Sequence, residues 1–255
     1  RGASVKSNPQ AIQSVERAFA LLEAMAEAGG EAGITELAAT TDLPLPTIHR
    51  SIQTLVSLGY LRQAPNRRYA LGARLLYLGD AAGRGVSSWV RPRLIELAEM
   101  CGESVNLAVL DGDQVAYISQ APSRHSMRMF TEVGRRVLPH ASAVGKAMLA
   151  NLSDDDAQNI IVRTGLPRFT QNTFTTWDSL RNSLSITRAR GYAIDDGEQE
   201  VGVRCVAVAL PTSVRRMAVS ISGPESRVTD TFIAEYVNEL KRLAQELSKE
   251  IATTT

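Results

Sequence analysis

A chain of 255 residues, 44% of them apolar, is long enough for two domains of unequal size and too apolar for wholesale disorder. No apolar run approaches the ~20 residues that cross a bilayer, and no signal-type or acylation motif appears, so no membrane partner is expected; the two distant cysteines, Cys101 and Cys205, fit a reducing cytoplasm. The net charge is only +1, yet five arginines (Arg50, Arg62, Arg67, Arg68, Arg74) and no acidic residue lie between Leu43 and Gly79, a local asymmetry that attracts phosphate.

Residues 1–9 are polar and aperiodic. From Ser14 onward Val15, Ala18, Phe19, Leu22 and Met25 recur at helical spacing until Gly29-Gly30 ends the run. Thr35 can cap a second, short helix that turns at Thr41-Asp42-Leu43. A third helix opens with Pro44 and Pro46 in its first turn, buries Ile48, Ile52, Leu55 and Val56, and stops at Gly59. With that stripe inside, Thr47, Arg50, Ser51 and Thr54 point outward, with His49 and Gln53 on the flanks. These are side chains that hydrogen-bond base edges and phosphates. Tyr60 to Gln63 and Arg68 to Leu71 read as a hairpin around Ala64-Pro65-Asn66-Arg67, a wing carrying Arg62, Arg67 and Arg68. The same pattern also fits a polar helix face beside a solvated hairpin, or a winged helix that contacts protein only. The charge distribution favours double-stranded DNA. Residues 10–72 are therefore expected to form a winged helix-turn-helix domain, 73–83 a linker helix that packs either against its twin in a dimer or simply on the wing, and 84–255 a second domain.

In that second domain Pro92 to Met100 has an amphipathic helical pattern. Ser104 to Leu110 and Gln114 to Gln120 alternate around the turn Asp111-Gly112-Asp113, and Met127 to Thr131 is a third strand. Helices are expected over Ala141 to Ala150, from Ser153, and over Trp177 to Arg190. The triplet Asp154-Asp155-Asp156 reads as a charged first turn rather than a metal site. Strands over Tyr192 to Asp195, Cys205 to Leu210 and Ala218 to Ser222 precede a long closing helix, Val228 to Ala252. Hairpins interleaved with helices indicate an α+β class with an antiparallel sheet, not a doubly wound one.

Signatures of catalysis are missing from the sequence: there is no G-x-S-x-G, no G-x-G-x-x-G after a strand and no H-E-x-x-H. No cofactor is implied. His49, His125 and His140 are too scattered for a metal site, and two distant cysteines, Cys101 and Cys205, make no disulfide framework. Cys205, in the apolar run VRCVAVAL, reads as core; the competing reading is a small-molecule enzyme with Cys205 as nucleophile and His140 beside it. Asp195, Cys205, Ser220 and Ser222 are polar groups inside otherwise buried strands. They are either satisfied internally or line a small polar pocket.

Three C-terminal segments, LPHASAVGKAMLA (Leu138 to Ala150), RGYAIDDGEQEVGVRCVAVAL (Arg190 to Leu210) and SISGP (Ser220 to Pro224), stand at spacing similar to that of IclR-type bacterial transcription regulators. So does LPLPTIHRSIQTLVSLGYL in the N-terminal part. The resemblance implies a winged helix-turn-helix, a linker helix and a GAF-like effector domain, without catalysis. It also implies homodimers, associating as a dimer of dimers, that usually repress catabolic operons. It further implies a small-molecule effector, expected to be a carboxylate, at the N-terminus of the helix in H-A-S-x-x-G-K. The backbone amides of Ala143 and Val144 would hold it, with Asp195, Cys205, Ser220 and Ser222 at the polar end and Met129 and Val137 as apolar wall. Glyoxylate-type members carry a smaller Gly-Ala pair where this chain has Ala143-Val144.

Overall fold

The computed structural model describes residues 12–83, 87–126, 133–211 and 216–254. The strand expected over Met127 to Thr131, and with it Met129, lies outside them. The chain divides into two compact units, Arg1–Arg84 and Gly85–Thr255.

The first unit runs α1 (Gln13–Glu27), β1 (Glu31–Ala32), α2 (Ile34–Thr41), α3 (Leu45–Ser57), β2 (Leu61–Gln63), β3 (Tyr69–Leu71) and α4 (Arg74–Gly83). Leu21, Met25, Leu37, Ile48, Ile52 and Leu61 fill its core, each side chain contributing roughly 1.5–3 kcal/mol when fully buried. The three strands form one antiparallel sheet in the order β1-β3-β2. β1 is too short to leave a sequence signal, and the hairpin strands each start one residue later than expected. Two details of the helices differ from expectation. Gly33, not Thr35, is the N-cap of α2; it has no side chain, and the cap is made by Glu36, whose Oε2 accepts the Gly33 N–H at 3.0 Å. In α1 the buried face is centred on Leu21 and Met25, leaving Val15 and Phe19 49% and 59% exposed. Gly72 is fixed by a close approach: a Cβ there would lie 2.2 Å from the Gly59 carbonyl oxygen.

The second unit contains α5 (Ser87–Cys101), β4 (Ser104–Asp111), β5 (Gln114–Ala121), β6 (Arg136–Val137), α6 (Ala143–Ala150), α7 (Asp154–Thr164), α8 (Trp177–Arg190), β7 (Ala193–Asp196), β8 (Val203–Ala209), β9 (Met217–Pro224) and α9 (Asp230–Thr254). Among the described residues six strands form one antiparallel sheet, ordered β6-β5-β4-β9-β8-β7. Strand alternation assigns the faces. Val105, Leu107, Val206, Val208, Val219 and Ile221 pack against Leu94 and Leu97 of α5 and Val237, Leu240 and Leu247 of α9. The opposite face, with Ala108, Tyr117, Cys205, Ala207 and Ala218, packs against Ala143, Val144, Ala147 and Met148 of α6. α7 and α8 cover the far side of α6 through Leu149, Ile160, Leu180 and Leu184. This mixed architecture, a helix-turn-helix unit and an antiparallel sheet sandwiched by helices, is the expected fold class.

Pro92 lies inside α5 rather than at its start; Val90 and Leu94, both fully buried, hold the helix on the sheet despite the backbone bond that proline cannot make. α8 has the expected bounds because both ends carry stop signals. Thr176 Oγ1 accepts the Ser179 N–H, and Gly191 takes the left-handed φ of 76°. Among the described residues, no helix is long and apolar enough to cross a membrane, and no group of three or more His, Cys, Asp or Glu could hold a metal ion.

Candidate functional site

The first candidate surface is α3 with the β2–β3 hairpin. At about 3.6 residues per turn, the face opposite Ile48, Ile52 and Leu55 carries Pro46, Arg50, Gln53 and Ser57, all exposed. His49 and Thr54 flank it. This face is rotated from the expected one: Thr47 and Ser51 are half-buried. They border a groove of about 580 Å³ shared with Val15, Ala18, Phe19 and Leu22 of α1, Leu58 and Leu75. The Thr54 hydroxyl donates to the Arg50 carbonyl at 3.0 Å and the Ser57 hydroxyl to the Thr54 carbonyl at 2.8 Å. The two hydroxyls keep only acceptor lone pairs for an outside donor. Arg50 and Gln53 project the strongest donors from the middle of the face.

On the hairpin, Arg62 and Arg67 are exposed, and Arg67 follows Asn66 in a left-handed turn, with φ of 61° and 64°. Arg68 departs from expectation. Its guanidinium donates to Glu36 Oε1 and Oε2, each at 2.9 Å, and to Glu31 Oε1 at 3.1 Å. The residues around Arg68 in sequence contain no acid, but the sheet brings β1 and α2 alongside it. Its charge is compensated within the unit, where it ties the wing to β1 and α2.

The second candidate surrounds the N-terminus of α6. A single 3-10 turn, Pro139–Ala141, leads to the N-cap Ser142, whose hydroxyl accepts the Gly145 N–H at 3.2 Å. The Lys146 N–H is taken by the Ser142 carbonyl at 2.9 Å. Ala143 and Val144, at the first two helical positions, have no intrahelical acceptor by geometry. Gly145 is required, because a Cβ would fall 2.3 Å from the Pro139 carbonyl oxygen. In front of these amides lies a cavity of about 10 Å³, lined by Tyr117, Arg135, Val137, Ser142, Ala143, Val144, Asp195, Gln199, Cys205 and Ser220, close to the smallest space that holds one water.

Six of the expected pocket residues therefore share one cavity: Val137, Ala143, Val144, Asp195, Cys205 and Ser220. Ser222 does not line it; it sits one pair further along β9, opposite Cys205 and Ser104, where its hydroxyl accepts from Asn106 Nδ2 at 3.3 Å. Tyr117, Arg135, Ser142 and Gln199 were not singled out in the sequence. Val137 is brought in by β6, which is too short to announce itself, and Arg135 lies just before it, its carbonyl accepting the Tyr117 N–H at 3.1 Å. A clearer signal was available for Lys146, a lysine within an apolar helical run. It is 1% exposed, paired with Glu198 (Nζ to Oε2, 2.6 Å), and lies over the Phe174 ring at 4.9 Å. Thr173 donates to the Glu198 carbonyl at 2.6 Å and Thr170 to that of Gly197 at 2.6 Å, fixing the loop after β7.

The electrostatics follow from burial. Asp195 is 3% exposed; desolvation and the neighbouring Glu198 push its carboxyl up to about 7, although Oδ1 accepts the Glu198 N–H at 2.7 Å. The Cys205 thiol is pushed well above its usual range by burial and by Asp195, and the Tyr117 phenol is raised by burial and by Cys205 and Asp195. A thiol held protonated cannot serve as a nucleophile. His140 is likewise unsuited as its base. Burial lowers its pKa, Nε2 faces the Pro167 carbonyl at 3.1 Å, and the ring stacks on Phe169. Ser220 Oγ and Gln199 Oε1 are buried without a hydrogen-bond partner, an unusual cost for protein groups that have no ligand to meet.

Both units are similar to known proteins. Residues 14–65 match the IclR helix-turn-helix domain, and residues 81–249 match the bacterial transcriptional regulator IclR C-terminal domain. The transcriptional repressor IclR of Escherichia coli is 37% identical over 244 residues, covering 93% of this chain and 89% of that protein. The regulator KdgR of E. coli is 32% identical over 256 residues, covering 98% and 96%. Of solved structures, IclR of Thermotoga maritima aligns with a TM-score of 0.78 at 27% identity, over 94% of this chain and 98% of that one. Both domains are matched in order, across nearly the whole chain, and this chain therefore belongs to the IclR family of bacterial transcriptional regulators.

Proposed function

We propose that the protein is a cytoplasmic, ligand-responsive repressor of a catabolic operon, with a small organic acid as effector. Within the winged helix-turn-helix of residues 10–72, Arg50 and Gln53 read base edges in the major groove, flanked by His49, Thr47 and Thr54. Arg62 and Arg67 hold the wing on phosphates. The single observation that carries the effector reading is the α6 N-terminus, whose Ala143 and Val144 amides face a cavity that also holds the unpartnered Ser220 hydroxyl. Helix N-termini of this kind suit a carboxylate. Val137 forms an apolar side, and the expected wall residue Met129 remains part of the proposal. Binding shifts the protein toward the state whose pocket it fits better, and DNA affinity changes only to the extent that the two states differ in it.

A single winged helix offers little DNA-contact surface, so affinity comes from pairing. The apolar groove beside α1, with Val15, Phe19 and Leu58 about half exposed, and Leu76 and Tyr77 of α4, 76% and 64% exposed, support self-association as a homodimer, with two dimers meeting on the operator.

A band-shift titration on the DNA upstream of the gene, with and without small carboxylates, tests this reading. Arg50→Ala is expected to weaken specific binding by about 5- to 150-fold, from ~1–3 kcal/mol for a base-edge contact. Binding as tight as the parent's would remove Arg50 from the reading face. Binding indifferent to salt would point to protein contacts instead of DNA.

A further inference from the structure

The reading helix α3 opens on three exposed apolar residues in succession, Pro44, Leu45 and Pro46, with Leu45 51% exposed. A helix start ordinarily carries a hydroxyl or carboxylate cap, and its free amides suit an anion. This one does neither. Pro44 stands at the N-cap without a side-chain hydrogen bond, and Pro46 has no N–H to offer. The Thr47 and Ile48 N–H groups are both taken by the Pro44 carbonyl, at 2.8 and 3.1 Å. Of the positions that open the helix, Leu45 alone keeps an amide without an intrahelical acceptor, whereas phosphate sites at helix starts draw on several.

This apolar turn is continuous with the reading face. Pro46 stands one helical turn before Arg50 and two before Gln53, and Leu45 stands one turn before His49. Neither Leu45 nor Pro46 borders the groove shared with α1, which lies on the other flank of α3 beside Thr47 and Ser51, so the self-association surface does not account for them. A recognition helix meets base edges with its N-terminal residues. In the major groove those edges present hydrogen-bond donors and acceptors, with one exception, the C5-methyl group of thymine. Side chains with neither donor nor acceptor fit that methyl, and they leave unpaired any polar edge they cover.

We infer that Leu45 and Pro46 are specificity-determining residues that read a thymine of the operator through its C5-methyl group. The inference rests on the DNA-reading role of α3 proposed above. Leu45 and Pro46 precede Arg50 by five and four residues, about 6–7.5 Å along the helix, so the thymine lies about two base pairs from the base that Arg50 reads. The contact is apolar. Unlike the phosphate contacts of the wing, it releases no counterion and contributes equally at low and at high salt.

Competition binding by the full-length protein tests this, on the duplex it selects from random DNA and on copies with each thymidine in turn replaced by deoxyuridine, which lacks only the methyl. At one thymine per half-site, loss of the methyl is expected to weaken binding about fourfold, the ratio that corresponds to about 0.8 kcal/mol for one buried methyl group. The factor should be the same at low and at high salt. In the double variant Leu45→Ala with Pro46→Ala, the thymine and deoxyuridine duplexes should bind alike; the parent's response holds as a measurement even if that variant folds poorly. A parent that binds its selected duplex with no thymine sensitive to loss of its methyl overturns this inference and leaves the DNA-reading role standing. A fourfold difference that persists in the folded double variant assigns the methyl to other residues and also overturns it. Failure to enrich any duplex overturns the DNA-reading role, and this inference with it.

Discussion

The Lys146–Glu198 pair is the most consequential perturbation to make in the effector unit. Lys146 is 1% exposed and the Glu198 side chain 6%, so neither charge can return to water without rearrangement. Burial raises the Glu198 pKa even with the ammonium beside it, and a buried ion pair in general adds little over well-packed apolar groups of similar volume. Breaking it is a different matter. Glu198→Ala removes the carboxylate that pairs with the ammonium and leaves the Phe174 ring, 4.9 Å away and worth up to about 2 kcal/mol when desolvated, and the electrostatic influence of Asp195. Loss of one partner of a buried pair costs about 3–5 kcal/mol, which for a unit of this size lowers Tm by about 6–20 °C. Replacing both partners, Lys146→Met with Glu198→Leu, leaves no stranded charge and should recover most of that loss. Thermal unfolding followed by circular dichroism on the parent, the single variant and the double variant measures this. A Tm within about 2 °C of the parent for Glu198→Ala would show that the ammonium reaches water or loses its proton without cost, and the reasoning would fail.

Three further predictions concern separate features. Arg67→Ala should reduce the slope of log affinity against log salt by about one phosphate contact, while Arg68→Ala leaves that slope unchanged because Arg68 is held by Glu31 and Glu36; equal slope changes in the two variants would return Arg68 to the DNA face. Gly145→Ala drives a methyl into the Pro139 carbonyl and should abolish effector binding along with much of the unit's stability, read by thermal shift with ligand; an unchanged response would mean the 139–145 turn gives way easily. Asp195, whose folded-state pKa of about 7 lies above the 3.8 of the unfolded chain, binds more protons folded than unfolded between those values. Its contribution to stability is present in acid and lost as pH rises through 7, so Asp195→Asn should raise Tm at pH 8 and change it little at pH 4. A lower Tm at pH 8 would contradict the assignment.

Where local chemistry decides structure, the sequence alone was informative. The third helix of the DNA-reading unit between Pro44 and Gly59, the hairpin after it, α7 with its Ser153 cap and α8 between Thr176 and Gly191 carry their start and stop signals within a few residues. The polar residues of β7, β8 and β9 were visible because strand alternation makes a buried Ser or Asp conspicuous. Six of the expected pocket residues do converge, because neighbouring strands β8 and β9 bring Cys205 and Ser220 to the face under α6.

Other features could be decided only by tertiary structure, each because it depends on partners distant along the chain. Arg68 looks like a free cation until β1 and α2 set Glu31 and Glu36 against it. Phe19 fits a helical stripe, yet the packing of α2 and α3 selects Leu21 and leaves Phe19 at a groove. Thr47 and Ser51 turn toward that same groove, since the crossing of α1 over α3, not the period of α3, sets which flank is covered. Arg135 and Gln199 reach the cavity from segments without pattern beside β6 and after β7, and Tyr117 reaches it only because β5 sets that face under α6. Periodicity assigns a side chain to a face of its own element; what that face meets, and whether a buried charge there is paired with another, is settled only when the elements close on one another.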